Sequence, residues 1–302
     1  MKKYDKPPLA VGDQIERLKG RGLVIGDPSR AKSLLDAISY YRLSGYALPF
    51  EIREGTEQRF RDGTKFEDIV ALYTFDAIAH IETAFRTQIT NHLSLEFGGW
   101  WYEDTERFYK PDNQARFLEE FDREISRSKE TFIEHYREKY GNPTRPPAWI
   151  SFEIVTLGQL SRLYKNLRPC NPKARVADYF GLGIPVLENW MESISVLRNA
   201  CAHHSRVSNR QLAVQPIYPK RRRSGFPSTI VVSDDDRAKV YASLCLLRYL
   251  LDQIGTMNRF PLQVRSLLSE YSRTDLSEMG FPANWEAEAV WIAKPSPSRK
   301  SP

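Results

Sequence analysis

Seven consecutive residues carry the densest set of reactive groups in the chain: Arg198-Asn199-Ala200-Cys201-Ala202-His203-His204, followed closely by Arg206, Asn209 and Arg210. They join a fixed cation, two imidazoles and an amide within a few helical turns. Cutting RNA needs a group to take the proton from a 2′-hydroxyl and a group to give one to the leaving 5′-oxygen. It also needs a charge that stabilises the phosphorane between them. Histidine suits the proton transfers because its ordinary pKa lies near ~6.5. Arginine suits the phosphate because its planar fork binds two oxygens and stays charged. No metal is required on this route.

Helical geometry complicates the picture. Arg198 and His203 are five residues apart, about 140° around an ideal helix, and His204 lies about 120° from Arg198 in the other direction. One copy of the helix makes a poor site unless it ends near the motif and the histidines turn back. Two copies packed antiparallel across a dimer axis could place Arg198 and a histidine from each chain around one phosphate. Two plainer readings stand beside this one. The histidine pair could simply complement the carbonyl end of a helix. Cys201, His203 and His204 could be metal ligands, but they have neither a clear fourth ligand nor the spacing of a zinc site, so no metal is expected.

The elements that must position these groups are helical. Gly181, Gly183 and Pro185 open the helix that carries the motif, and Leu187, Trp190, Met191, Ile194 and Cys201 form its apolar stripe. At about 100° per residue Arg198 lies in line with Leu187, Met191 and Ile194, so the cation faces inward or toward a partner. From Lys65 to Leu95 the apolar residues Leu72, Phe75, Ile78, Ala79, Ile89 and Leu93 mark another helix. Glu82 and Arg86 sit on its stripe, either as a simple i, i+4 ion pair or as part of a polar network or interface. One polar helix is expected over 114–139 and another over Ala148 to Leu167. Glu153 would lie on the apolar side of the second, as a locally satisfied group or a partner for Arg86 or Arg198.

Further helices are expected from Asp27, around Ala174 to Phe180, from Ser233 through Leu251, and near Leu262 to Tyr271. Tyr40-Tyr41-Arg42-Leu43-Ser44-Gly45-Tyr46 could stack on bases, with Arg42 as a contact, or be a packed surface. Residues 51 to 63 read as a turn-rich connection or a short hairpin. Leu212-Ala213-Val214 and Thr229-Ile230-Val231-Val232 read as short strands flanking a basic loop at Lys220 to Arg223, which could touch phosphates.

With 302 residues, 41% hydrophobic and 27% charged, the chain has the composition of a globular protein with a real core. Its net charge of +6 permits a nucleic-acid partner without requiring one. Three scattered cysteines read as free thiols rather than a disulfide framework. Neither a signal peptide nor a membrane span is visible, so a cytoplasmic protein is expected. The tail from Lys294 to Pro302 reads as disordered. The expected organisation is a helical extension over 1–60, a main domain over 61–270 and a terminal segment over 271–302.

The run RNACAHHSRVSNR resembles the Arg-Asn-x-x-x-His signature of HEPN-domain proteins, particularly the Abi family of bacterial abortive-infection proteins. YYRLSGY, LYTFDAIAHIETAFRTQI and PAWISFEIVTLGQLSRLY resemble further blocks of that family in the same order, so the resemblance spans roughly residues 10 to 270. Ser208 departs from it, standing where an aromatic residue is usual. The resemblance implies an all-α HEPN-like helical bundle with an N-terminal helical extension, to which the two short strands read above add a small β-hairpin insertion after the motif helix. It implies a homodimeric, metal-independent endoribonuclease without cofactors, acting in phage defence or as a toxin on RNA such as tRNA, and restrained in some systems by a small-RNA or protein antitoxin. Arg198 would bind the phosphate, His203 would be the general acid and base, and Asn199 would orient the site. His204, Arg206, Asn209 and Arg210 match the extended motif as RNA-contacting or supporting residues. A binding module that holds RNA without cutting it is the alternative.

Overall fold

The structure is a computed structural model that describes residues 7–37, 40, 51–54, 57–60, 77–202, 211–218, 236–255, 260–270, 276–288 and 290–292. Among the described residues the protein is all-α apart from one hairpin, and its contacts divide it into two compact units, Met1–Val176 and Ala177–Pro302.

The first unit begins with α1 (Val11–Gly20) and α2 (Pro28–Ala37), which pack together. Strands β1 (Glu51–Glu54) and β2 (Glu57–Phe60) pair antiparallel with Glu51 opposite Phe60, which realises the hairpin reading of this region. Helix α3 (Ala77–Phe97) is the central element and contacts α2. Of its expected apolar stripe Ile89 and Leu93 are fully buried, Ile78 and Ala79 are half-buried, and Leu72 and Phe75 lie outside the described residues; Ile81, Ala84 and Phe85, which the stripe did not include, are fully buried as well. Thr83, Arg86, Thr87, Gln88, Thr90 and Ser94 are buried as well. Burial on every side requires polar partners. The Gln88 amide donates to Asp36 O, and the Thr87 hydroxyl lies 3.5 Å from Ala37 O. Both acceptors are carbonyls of the last two residues of α2 as described.

After α3, Gly98 turns the chain at φ +83°, and Gly99 lets it pass closely over the loop beyond: a Cβ there would stand 2.8 Å from Pro147 Cβ and 2.9 Å from the Trp149 ring. The expected helix over 114–139 is two helices, α4 (Pro111–Arg127) and α5 (Thr131–Lys139), separated where Ser128 and Glu130 adopt extended backbone. The expected helix from Ala148 to Leu167 is also divided, into α6 (Ala148–Ser151) and α7 (Leu157–Asn166). The cause is a capping box: the Thr156 hydroxyl accepts from Gln159 N at 3.3 Å, while Gln159 Oε1 accepts from Thr156 N at 2.9 Å. Trp101, Tyr102, Phe117, Phe121 and Phe152 form the aromatic core beside these helices, with Trp101 and Phe152 edge-to-face at 5.5 Å. Tyr102 donates its hydroxyl to Pro146 O at 2.6 Å, fixing the proline-rich loop to this core. The short helix α8 (Asn171–Tyr179) follows.

The second unit is built on α9 (Ile184–Ala202) and α10 (Val240–Ile254), which contact each other. Trp190 of α9 meets Tyr249 of α10 edge-to-face at 5.4 Å. Helix α10 ends at Gly255, whose φ of 73° gives the left-handed C-terminal turn. Helix α11 (Phe260–Glu270) and the chain through Ile292 complete a second aromatic core of Tyr241, Phe281, Trp285 and Trp291. No strand forms at Leu212-Ala213-Val214, which corrects that half of the expected hairpin insertion; Thr229 to Val232 lie outside the described residues. Several backbone groups of 212–217 have other partners: Leu212 N donates to Ala238 O at 2.7 Å, and side chains of α9 bind Val214 O, Gln215 O and both polar groups of Ile217.

Glu288 is buried beside Tyr241, whose hydroxyl donates to it at 2.7 Å. Burial raises its carboxyl above the ordinary value, opposed in part by that hydrogen bond. The folded protein therefore holds this proton more tightly than the unfolded chain does. The stabilisation it brings is complete below the ordinary carboxylate range and is lost as pH rises through the folded value. Glu288→Gln keeps an acceptor for Tyr241 and removes the buried charge. It is expected to raise the melting temperature at pH 7 and to flatten the pH dependence between pH 4 and 7, as thermal scans across that range would register.

Candidate active site

Helix α9 starts where Leu187 N donates to Gly183 O at 3.0 Å, with Pro185 in the first turn, where a missing N–H costs nothing. Its inner face is as expected: Leu187 and Met191 are fully buried and Ile194 is 1% exposed. Arg198 continues that line four residues before the end of the helix, where it is half-buried, while Asn199 is exposed. The Arg198 guanidinium donates through Nη1 to Asn199 Oδ1 at 3.3 Å. The amide thus steadies one edge of the fork by a long, exposed bond. Its charged end is at the surface, where that bond is made.

Sequence reasoning missed the segment that returns along this helix. Ser193 Oγ lies 3.4 Å from Val214 O. One turn earlier, Asn189 Nδ2 donates to Gln215 O at 3.1 Å and Asn189 Oδ1 accepts from Ile217 N at 2.7 Å. The Trp190 indole N–H donates to Ile217 O at 2.7 Å. Residues 214–217 therefore run back against α9, toward its N-terminus. A side chain that binds a passing backbone leaves no periodic trace in sequence; only the adjacency of Asn189 to a buried tryptophan hinted at it.

His203, His204, Arg206, Asn209 and Arg210 lie outside the described residues, as do Arg42 and the basic loop at Lys220 to Arg223. Glu82, Arg86 and Glu153 belong to the first unit. Arg86 is 6% exposed; its Nη2 donates to Glu82 Oε1 at 2.9 Å and to Val155 O at 3.0 Å. The ion pair is thus part of a polar network, as one of the two readings had it. Val155 lies in the break between α6 and α7, so Arg86 of α3 holds that break in place. Glu153 sits in the same break rather than on a helix face, because the Thr156 cap restarts the helix after it. Among the described residues no group of three or more potential ligands could hold a metal ion, and no helix is long and apolar enough to cross a membrane.

The fold and this placement define an all-α protein that displays an arginine and an asparagine at the end of a core helix, just before two histidines in sequence. The family model of Abi-like proteins matches residues 33–209, more than half of the chain, and the chain belongs to that family. Membership implies a role in abortive infection, a form of phage defence. No curated protein and no solved structure gave a significant match.

Proposed function

We propose that the chain is a metal-independent HEPN endoribonuclease that acts in phage defence, with Arg198 and His203 of a homodimer forming a composite Arg-x4-His site. The observation that carries this reading is the state of Arg198. It lies in line with buried Leu187, Met191 and Ile194, yet it is only half-buried, its guanidinium makes an exposed hydrogen bond to the Asn199 amide, and it pairs with no carboxylate among the described residues. A surface arginine whose charge is not neutralised by an acid is free to take a phosphate. His203 follows Ala202, the last described residue of α9, directly in sequence, and in this reading it serves as general acid and base. Asn199 orients the arginine, and His204, Arg206, Asn209 and Arg210 contact RNA. A small-RNA or protein antitoxin would restrain the toxin form.

The test is RNA cleavage by purified protein in EDTA, with the ends sequenced. Products ending in 2′,3′-cyclic phosphate are expected, as is their loss in His203→Ala without loss of the folded circular-dichroism spectrum. Cleavage that persists in His203→Ala would overturn the assignment. Salt-sensitive RNA binding without cleavage would replace it with the binding module.

A further inference from the structure

In the first unit two arginines oppose each other across a short antiparallel contact between the segment before α4 and the segment after α7. Phe108 and Leu167 form its bridge and are both buried. On either side of it, Arg168 N donates to Arg107 O at 2.8 Å and Tyr109 N donates to Asn166 O at 2.9 Å. Side chains alternate between the two faces of extended chain. With Phe108 and Leu167 in the core, Arg107, Arg168 and Tyr109 fall on the outer face together. Like charges set directly opposite each other are destabilising unless something lies between them.

What surrounds these arginines leaves room for such a group. Arg107 is held flat, its guanidinium carbon 3.7 Å from the centre of the Phe97 ring and its Nε 3.0 Å from Asp104 Oδ2. Arg168 uses its Nε on Phe108 O at 3.0 Å, and its guanidinium carbon lies 5.8 Å from the centre of the Tyr109 ring. Between them opens a cleft of about 600 Å³ including its mouth, which also takes in Glu106 and the half-exposed Cys170. Tyr109 is 53% exposed. Two preset forks with terminal amino groups to offer make a bidentate seat for a phosphate. An exposed ring beside them makes a platform for a base.

We propose that this cleft seats the phosphate of one nucleotide of a single-stranded RNA between Arg107 and Arg168, with the base against Tyr109, which stands beside Arg168 just outside the cleft's lining. Asp104 and Glu106 balance the two cations, so a bare anion gains no long-range attraction and the seat favours a phosphate that brings a stacking base. A paired base has no free face to offer, which selects unpaired RNA over duplex. The proposal rests on the reading of RNA as substrate and adds a docking point on the unit that does not carry Arg198.

The test measures binding of a fluorescent, uncleavable 2′-O-methyl 12-nucleotide RNA to the full chain by anisotropy. Arg168→Ala and Tyr109→Ala are each expected to weaken binding about tenfold, in line with the loss of one stacked base or one charged fork. Tyr109→Phe is expected to bind as the wild type does, and inorganic phosphate is expected not to compete. Saturating RNA should also slow alkylation of Cys170 by N-ethylmaleimide, followed at the peptide. Binding within twofold of wild type in both alanine variants, or alkylation of Cys170 unaffected by RNA, overturns the proposal. If the wild type cleaves RNA and both variants keep its KM, the cleft falls while the nuclease reading stands. If the wild type never cleaves but the variants lose binding, the nuclease reading falls and the cleft stands.

Discussion

A one-to-one mixture of Arg198→Ala and His203→Ala chains, co-expressed so that dimers form at random, is expected to cleave RNA at about one quarter of the wild-type rate. Each variant alone is expected to be slower by about 10²- to 10³-fold, the usual cost of removing one charge-stabilising donor or proton-transfer group. The recovery follows from the composite site proposed: Arg198 continues the buried line of α9, and an arginine and a histidine five residues apart in one chain do not share a face of an unbroken helix. A site that takes the arginine from one protomer and the histidine from the other is intact once in every mixed dimer, and half of the dimers are mixed. A site built within one chain gives no recovery at all. Arg198→Lys is expected to fall between wild type and alanine, since it keeps the charge and loses the two-pronged geometry.

Arg86→Ala is expected to destabilise the protein by about 3 to 5 kcal/mol, the range for breaking a buried ion pair from one side. Three deficits arise together: Glu82 loses its cation, Val155 O loses its donor, and a cavity opens at a side chain that is 6% exposed. The double change Arg86→Met with Glu82→Gln fills the space and removes both charges, so it is expected to recover most of the loss. Urea unfolding of the three proteins decides the matter. A shift of under about 1 kcal/mol in Arg86→Ala would assign the pair a role other than holding α3 to the α6–α7 break.

How far the sequence could be read depended on what kind of interaction fixed each feature. The buried Ile89 and Leu93 of α3 and the inner line of α9 that leads to Arg198 follow from a 3.6-residue period and are as the sequence suggests, whereas Ile78 and Ala79 are only half-buried and Ile81, Ala84 and Phe85 join the core instead. The break at Phe152 to Thr156 had a local signal, Thr156 followed three residues later by Gln159, but the apolar spacing of Trp149, Phe152, Leu160 and Leu163 runs through it and conceals it. The break between α4 and α5 had no glycine or proline to mark it. Leu212 to Val214 have the composition of a strand, but Leu212 N donates to Ala238 O and Val214 O lies against Ser193 of α9 instead. Partnerships between distant segments of this kind, including those of Arg86 and Asn189, are set by tertiary structure and leave no spacing rule to find.

The buried polar residues of α3 have a consequence for how the first unit comes apart. Gln88 and Thr87 serve the last carbonyls of α2, and Arg86 serves the carbonyl of Val155. A purely apolar helix can loosen from its neighbours a little at a time, with a small loss for each contact. Here, withdrawing α3 strands buried acceptors on α2 and on the α6–α7 break at the same moment, so partly opened forms of this region are disfavoured against both the closed and the fully open ones. The polar belt of α3 therefore sets the cooperativity of the unit: α2, α3 and the start of α7 are tied into one folding unit that forms and fails together.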